Sequence, residues 1–300
     1  MLIAVCCDRG APGSTTTALA LAAATPVDCV LVEADPYGGD LAVRCAPPNG
    51  GSAFPPAPTV LTLAAEARTS VFAEQAARRA HEFTSTTRIV PAHFSAEQAA
   101  GVMNWAPLAR ALRASSTRVV ADLGRIHANS PSVPVAAAAD VVVVVTRPEL
   151  GAVLHLKDRL ERLVPVLAKI RNAPPVVVPV VVTGRRTAKA VTSEVAQLLR
   201  SSSAEPVVAD VGWIAVDPAG VARLEGGHVG GKDSRTALLR SATALNEAID
   251  QLVPHKLGAA AGAPPEESAS AFADLDSVGH RVDQTAVTAT RDALSEGEAR

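Results

Sequence analysis

The sequence predicts an α/β protein with a doubly wound, mostly parallel sheet and helices on both faces. Short Val-rich runs bounded by turn residues recur along the chain, and they are apolar throughout rather than alternating. Such runs are typical of strands that are covered on both faces. Stretches with a helical spacing of apolar residues lie between them, and strand followed by helix, repeated, is the pattern of this fold class.

Each element follows from its local pattern. Strands are predicted at Leu2–Cys7, Cys29–Glu33, Arg88–Val90, Arg118–Asp122, Val141–Thr146, Val176–Thr183 and Val207–Val211. Helices are predicted at Thr15–Ala24, along the apolar positions from Leu156 to Ile170, and along those from Leu238 to Leu252. Pro165 should kink the second helix or end it early, and Pro179 argues against a central position for the first half of its strand.

Composition limits the class of protein. Apolar residues make up 48% of the 300 residues and charged residues 19%, which supports a large core and excludes wholesale disorder. The formal net charge of −2 argues against a protein that coats nucleic acid, and only five of the 28 basic residues are lysines. The four cysteines have neither CxxC nor zinc-ligand spacing, so we expect buried thiols.

The chain is predicted to divide near Pro254. Residues 1–254 form the α/β domain, whereas residues 255–300 carry eight acidic and four basic residues and are predicted to be a disordered acidic tail. No run reaches the ~18 apolar residues of a membrane span. The start, MLIAVCCDRG, lacks the basic leader of a signal peptide. We therefore expect a cytoplasmic protein.

The segment after the first strand has the pattern of a phosphate-binding loop. The sequence DRGAPGSTTT, residues 8–17, leads from that strand directly into the first helix. Glycines allow a tight turn close to an anion, and the first helical N–H groups then meet it. The alternative is a Gly/Ser turn that caps the helix without a ligand. The residues expected to bind the phosphates are Gly10, Ala11, Gly13, Ser14, Thr15 and Thr16, and the Thr15 hydroxyl is also placed for Mg²⁺.

Two carboxylates should lie beside this loop. Asp35 follows the second strand and Asp122 ends the fourth, so both are expected at the carboxyl edge of the sheet, where open α/β folds bind ligands. The alternative for each is a helix cap or an anchor for a loop. For Glu33, that structural role is the preferred interpretation.

Four segments, in order, resemble the ParA/MinD family of P-loop ATPases. RGAPGSTTTALALA (9–22) is similar to the family's deviant Walker A loop, KGGxGKTT followed by an Ala/Leu helix. LVEADP (31–36) with GGD (38–40) is similar to its second-strand switch motif, which ends in DxDP. VVAD (119–122) followed by Leu-Gly is similar to its Walker B strand, and residues 137–149 to the strand that follows. Together these segments extend over roughly residues 1–250.

The resemblance implies a switch that depends on ATP and Mg²⁺. Such proteins form a nucleotide-linked homodimer, bind a protein partner, which is unidentified here, and act in chromosome or cargo partitioning and positioning. The resemblance also implies that Thr15, Asp35 and Asp122 hold Mg²⁺ and that the two aspartates position the attacking water. Asp217 and Pro218 lie in the region that contacts the base in this family.

The chain departs from the family pattern inside the loop. Ser14 stands where the family has the lysine that grips the phosphates, and Asp8 stands where it has a glycine. Arg9 replaces the lysine that reaches across the dimer, so Arg9 is the candidate substitute in catalysis. A lost charge-assisted contact is worth roughly 1.5–3 kcal/mol, which predicts weaker nucleotide binding and weak or lost hydrolysis.

Other functions remain open on the sequence alone. One is a scaffold or adaptor that keeps the fold and a partner surface without hydrolysis. Another is a P-loop small-molecule kinase or synthetase, although no acceptor site with its own acid and base is visible. DNA binding through dispersed arginines is left open without a supporting motif, and the acidic tail disfavours membrane attachment through a basic C-terminal helix. A second Gly-rich run, residues 226–231, is predicted to be a surface loop, with Asp233 or Ser234 capping the final helix.

Overall fold

A computed structural model describes residues 1–253 except 11, 49, 52, 69–78, 93–101, 103 and 172–173. Ala11, Pro254 and the predicted acidic tail, residues 255–300, therefore lie outside the described residues. The strands are β1 (Leu2–Cys7), β2 (Cys29–Glu33), β3 (His81–Glu82), β4 (Thr87–Val90), β5 (Arg118–Arg125), β6 (Val141–Thr146), β7 (Val176–Thr183) and β8 (Gly212–Ala215). The helices are α1 (Ser14–Ala23), α2 (Leu41–Arg44), α3 (Val60–Glu66), α4 (Ala106–Arg113), α5 (Val133–Ala138), α6 (Leu150–Arg171), α7 (Ala188–Leu199), α8 (Pro218–Glu225) and α9 (Ala237–Leu252).

The predicted fold class is confirmed. The described strands form one sheet in the order β3-β4-β2-β5-β1-β6-β7-β8, and all neighbours are parallel except β3 and β4. Side chains of the central strand β1 alternate between two cores. Leu2, Ala4 and Cys6 pack on the face covered by α3 to α7, whereas Ile3 and Val5 pack on the face covered by α1, α8 and α9.

The strand register brings the predicted site residues to one edge. Glu33, the last residue of β2, is paired with Asp122 of β5. Cys7, the last residue of β1, is paired with Val145 of β6. Because these strands are parallel, the loop after β1 and the residues that follow β2 meet at the carboxyl edge of the sheet.

The last predicted strand is wrong in position. β8 begins at Gly212 rather than spanning 207–211, where Val207 ends a 3-10 turn and Val208 forms an isolated bridge to Val177. The cause lies in α9, which crosses β8 closely. A Cβ at Gly212 would crowd the Leu245 side chain of that helix, so the segment that starts with this glycine fits beneath it.

Two further boundaries differ from the expectations, and Pro179 occupies a position that its strand tolerates. β5 continues past Asp122 to Arg125, so Asp122 lies inside the strand. α6 does not end at Pro165, since buried apolar residues on both sides of it, Val164 and Leu167 among them, keep the helix packed. Pro179 pairs with Val144 of β6 and lies just before the β8 ladder, which starts at Val180. Proline is thus tolerated where β7 has only one complete neighbour.

The cap of the final helix is also corrected. The Thr236 hydroxyl accepts the N–H of Leu239 at 3.3 Å, and it is this residue that caps α9. Asp233 instead pairs with Arg223, and the Ser234 hydroxyl donates to a carbonyl oxygen within its own loop. The side chains of Asp233 and Ser234, which were the two predicted caps, thus have other partners nearby.

Candidate functional site

The loop between β1 and α1 leaves the start of the helix open to an anion. Gly10 and Gly13 have φ angles of 72° and 97°, a region that residues with side chains rarely adopt. Gly13 immediately precedes α1; no side chain caps this helix, and its first turn contains no acidic residue. The first N–H groups of α1 are therefore available to an anion.

Ser14 is used to fasten the helix to the sheet. Burial raises the pKa of the Cys7 thiol at the end of β1 to about 11, against the lowering effect of the Ser14 side chain beside it. Ser14 itself is buried. The first lysine of the whole sequence is Lys157, and no lysine is among the residues that line the three clefts around the loop. Among the described residues that line these clefts, therefore, none carries an ammonium group.

Arginines surround Asp8, the loop residue that introduces a negative charge. Arg159 of α6 donates from Nε to the Asp8 carboxylate at 2.5 Å, and Arg125 donates from Nε to the Asp8 carbonyl oxygen at 2.9 Å. Arg9 lies 3.7 Å from the same carboxylate, with 57% of its side chain exposed. The charge of Asp8 is thus compensated locally, and Arg9 is the member of this group best placed to reach outward.

Asp35 and Asp122 lie together beside the loop, as predicted. They line a cleft of about 350 Å³ with Thr15 and the Gly38–Gly39 turn. The Thr15 side chain lies beside the Asp122 carboxylate, and Asp122 Oδ1 accepts the N–H of Gly124 at 3.1 Å. Asp122 Oδ2 is buried and has no hydrogen-bond partner within the described part of the chain. When it is ionised, a buried carboxylate oxygen in this position requires a cation or a water molecule.

The electrostatics of this pair favour a bound cation. Burial and, to a smaller extent, the charge of Asp35 raise the pKa of Asp122, hydrogen bonding from Thr15 and Gly124 lowers it, and the net pKa is about 6. Burial raises the pKa of Asp35 to about 6 as well, against the N–H bond from Tyr37. No group of three or more His, Cys, Asp or Glu side chains in the described ranges could hold a metal by itself. Two carboxylates and a hydroxyl suit Mg²⁺, which completes its shell with phosphate and water.

Glu33 has the structural role preferred from the sequence. Its Oε1 accepts the N–H groups of Asp40 and Leu41 at 2.9 and 3.1 Å, and its Oε2 accepts the N–H of Ala92 at 2.9 Å. A Cβ at Gly39 would overlap the carboxylate. Burial raises the pKa of Glu33 to about 7 despite these three bonds. Glu33 therefore anchors the turn that follows Asp35.

An apolar cleft of about 340 Å³ continues from the loop toward α8. Gly13 and Thr16 line one side, and Val182, Pro218 and Val221 line the other. Asp217 also borders this cleft, but its carboxylate accepts the N–H groups of Gly220 at 2.9 Å and Leu238 at 3.2 Å. Burial opposes ionisation of Asp217, and the backbone N–H bonds outweigh it and hold its pKa below the usual value. Asp217 thus ties together the starts of α8 and α9.

Comparison with solved structures identifies the architecture. A ParA family ATPase from Chlorobium tepidum superposes with a TM-score of 0.62 at 12% identity, over 82% of this chain and 98% of that one. A McdA variant from Cyanothece in complex with ATP gives 0.56 at 16% identity, over 84% and 96%. The septum site-determining protein MinD from Pyrococcus horikoshii, complexed with Mg-ADP, gives 0.54 at 15% identity, over 84% and 96%.

The chain has the ParA/MinD fold. No protein-family model and no curated protein sequence matches it, so the likeness is one of structure. The second Gly-rich run is a partly exposed loop between α8 and α9 of this fold, as predicted. No helix of the described part combines the length and the apolar character needed to cross a membrane.

Sequence reasoning missed several residues around the loop of this ParA/MinD fold. Arg125 and Arg159 contact Asp8 from β5 and α6, which are distant in sequence, and no local pattern marks them. Gly124 supports Asp35 across two strands. Arg44 contacts Thr16, and its spacing of four residues from Asp40 is a signal of an ion pair that sequence inspection could have used.

Proposed function

We propose that the protein is a nucleotide-dependent switch that binds ATP with Mg²⁺, dimerises when loaded, and acts in the positioning or partitioning of cellular cargo with weak or no hydrolysis. The observation that carries this proposal is the buried, unpartnered Asp122 Oδ2 beside Thr15 and Asp35, at the open start of α1. This arrangement supports the proposal of a divalent cation next to a phosphate.

In this proposal different residues bind the phosphates and the cation. The backbone of Gly10 to Thr16 binds the phosphate chain, and the Thr15 hydroxyl and the two aspartates hold the cation. Mg²⁺, when bound, neutralises the phosphates and polarises the bond to the terminal phosphoryl group. Because no ammonium group is present, binding should depend on Mg²⁺ more strongly than in a loop with a lysine. Arg9 is the candidate residue for a contact with the terminal phosphate.

The nucleoside is proposed to lie in the apolar cleft beyond Thr16. Val182, Pro218 and Val221 offer apolar surface to a base. Asp217 is occupied by two backbone N–H groups, so we propose that its part in binding is to shape the cleft. The ATP and Mg-ADP complexes of the McdA and MinD structures support adenine nucleotides as the first ligands to test.

Dimerisation is proposed to use the carboxyl edge of the sheet. Tyr37, Val43, Leu150, Leu154 and Val216 are exposed large apolar residues, and all lie in segments that follow strands at this edge. Burial of such side chains around two facing nucleotides would favour a loaded homodimer. The same edge is available to an unidentified protein partner, in a cytoplasmic setting.

The second candidate is a scaffold that keeps the fold without a working nucleotide site. The contact between Ser14 and Cys7 favours it. Ser14 stands where the family has its phosphate-binding lysine, and here the residue contacts the sheet instead. Asp8 favours it too, since a carboxylate stands at the loop where a phosphate would bind.

The test is nucleotide binding and turnover by the purified protein. ATP and ADP are titrated with Mg²⁺ and with EDTA, phosphate release is followed, and molar mass is measured by light scattering. Asp122→Asn should lose Mg²⁺-dependent binding, whereas Asp233→Asn, which removes a surface carboxylate, should behave as wild type. Binding with slow turnover and a loaded dimer supports the switch. Absence of binding with Mg²⁺ would leave the scaffold.

A further inference from the structure

We propose that Arg44 is an additional nucleotide-binding residue that supplies positive charge to the phosphate nearest the nucleoside and orients the Thr16 hydroxyl toward it. This inference rests on the proposed function. Arg44 ends the short helix α2 after the turn anchored by Glu33, so it belongs neither to the loop nor to the carboxylate pair.

The geometry places a guanidinium at the junction of loop and cleft. Arg44 Nη2 donates to Thr16 Oγ1 at 3.2 Å, and Thr16 lines the apolar cleft together with Gly13 and Val221. A nucleotide with its phosphates at the start of α1 and its base against Val221 would have its first phosphate at Thr16. Arg44 is therefore next to the phosphate that the loop amides reach last.

The Arg44 contact also sets the direction of the Thr16 hydroxyl. A hydroxyl that accepts a hydrogen bond from a guanidinium keeps its own proton for another acceptor. With Arg44 on one side of the oxygen, that proton is free to donate to a phosphate oxygen in the cleft. Arg44 thus acts both by charge and by orienting a neighbour.

The other partners of Arg44 explain how it could change from the free state to the loaded one. Glu225, at the end of α8, accepts hydrogen bonds from Arg44 Nε at 2.9 Å and from Arg44 Nη2 at 2.5 Å. Asp40 accepts a hydrogen bond from Arg44 Nη1 at 3.1 Å. The Asp40 side chain is 58% exposed, whereas that of Glu225 is 23% exposed. The exposed pair is the weaker one. A phosphate can replace Asp40 at Nη1, while Glu225 holds the guanidinium in place.

The experiment compares two matched arginines. Arg44 and Arg162 each pair with an aspartate four residues earlier, Asp40 and Asp158, but Arg44 also donates to Thr16, which lines the apolar cleft. The affinities of wild type, Arg44→Met, Arg44→Lys and Arg162→Met are measured for Mg-ATP, for AMP without Mg²⁺, and for adenosine. Arg44→Met should weaken ATP and AMP about tenfold and leave adenosine unchanged, and Arg44→Lys should recover part of the loss. Arg162→Met should match wild type.

A second variant protects the test against misfolding of Arg44→Met. Asp40→Asn removes the competing carboxylate and should strengthen AMP binding severalfold, without involving the cation. An equal loss for adenosine and AMP in Arg44→Met would mean a structural role and would overturn the inference, as would unchanged AMP affinity in both variants. Failure of wild type to bind any nucleotide with Mg²⁺ is a different result, since it rejects the proposed function itself.

Discussion

The carboxylate of Asp35 lies against the Cα of Gly124, so closely that a Cβ at Gly124 would overlap it. The N–H of the same glycine donates to Asp122. Gly124, the second-last residue of β5, thus sets the spacing of the two carboxylates from both sides. The positive φ of 58° at Gly124 adds a second reason for glycine at this position.

Gly124→Ala should therefore separate the aspartates and disable the cation site. We expect Mg²⁺-dependent ATP affinity to fall at least tenfold, since one of the two carboxylates is displaced, whereas the weak binding in EDTA should change little. Calorimetric titration with and without Mg²⁺ measures this. The control is Gly151→Ala in α6, where an added Cβ meets nothing within 4 Å. Wild-type Mg²⁺ dependence in Gly124→Ala would show that Asp35 is not needed for the cation.

Ser14→Lys should restore a phosphate contact at the start of α1. The new ammonium supplies the charge that the loop lacks, and Asp8→Gly removes a local negative charge. We expect wild-type turnover near background and at least tenfold tighter ATP binding by the double variant, about 1.4 kcal/mol. Ser14→Ala separates the loss of the Cys7 contact from the gain of charge.

Two outcomes would contradict this account of the loop. Robust turnover by wild type would mean that Arg9 or another arginine already replaces the lysine. No gain in the double variant would mean that the loop geometry, rather than the missing charge, limits binding. Because Asp8 holds Arg159, a melting curve must accompany Asp8→Gly, since the loss of this ion pair can loosen α6.

Most of the fold could be predicted because its strands are continuous apolar runs. β1, β2, β6 and β7 have the predicted boundaries, since each is buried on both faces and ends at a polar or turn residue. β8 was misplaced because its position depends on α9 crossing Gly212, a contact that no local pattern contains. β3 was missed because its two residues are too few to show any periodicity.

The site was predictable where a residue's role follows from its place in the chain. Asp35 follows the apolar strand β2 and Asp122 follows the apolar start of β5, and parallel strands bring such residues to one edge. The partners of Asp8 and Thr16 were not predictable in this way. Arg159 and Arg44 reach them from other elements, so their roles depend on tertiary packing.

Without Mg²⁺, buried Asp122 should make stability fall as pH rises. Its pKa is raised from 3.8 to about 6, so the folded chain holds a proton that the unfolded chain has released. The stability that this group contributes is fully present at a pH below its pKa in the unfolded chain. It is lost as the pH rises through the folded pKa of about 6, and the loss amounts to roughly 3 kcal/mol. Asp122→Asn should therefore exceed wild type in unfolding free energy at pH 8, and the difference should shrink toward pH 5.

Chemical denaturation at the two pH values, with and without Mg-ADP, measures this effect. Mg-ADP should raise wild-type stability at pH 8 and leave Asp122→Asn unchanged. The opposite sign, with wild type more stable than Asp122→Asn at pH 8 without Mg²⁺, would mean that water satisfies the buried carboxylate well enough to keep it ionised.

Glu33→Gln should destabilise the protein through its loop rather than through the cation. The carboxylate accepts three backbone N–H groups on two oxygens, and an amide has only one accepting oxygen. We expect a loss of about 1–3 kcal/mol in unfolding free energy. Denaturant titration measures it, and a Mg²⁺ affinity that falls while stability is unchanged would assign Glu33 to the cation site instead.

Removal of the acidic tail should leave the folded domain intact. Residues 255–300 are poor in aliphatic side chains, and burying them would not offset the entropy of ordering. A chain that ends at Pro254 should melt within a degree of the full chain in a calorimetric scan. A drop of several degrees would show that the tail packs on the domain.

The absence of lysine from all three clefts decides which chemical reagents can label a bound nucleotide's surroundings. Reactive nucleotides that acylate an amine, or form an imine with one, need an ammonium side chain close to the phosphates or ribose. Here the polar groups that line the clefts are guanidinium, hydroxyl and carboxylate. A labelling survey based on amines would therefore score this protein as a non-binder whatever its affinity, and a photoreactive base is the appropriate probe.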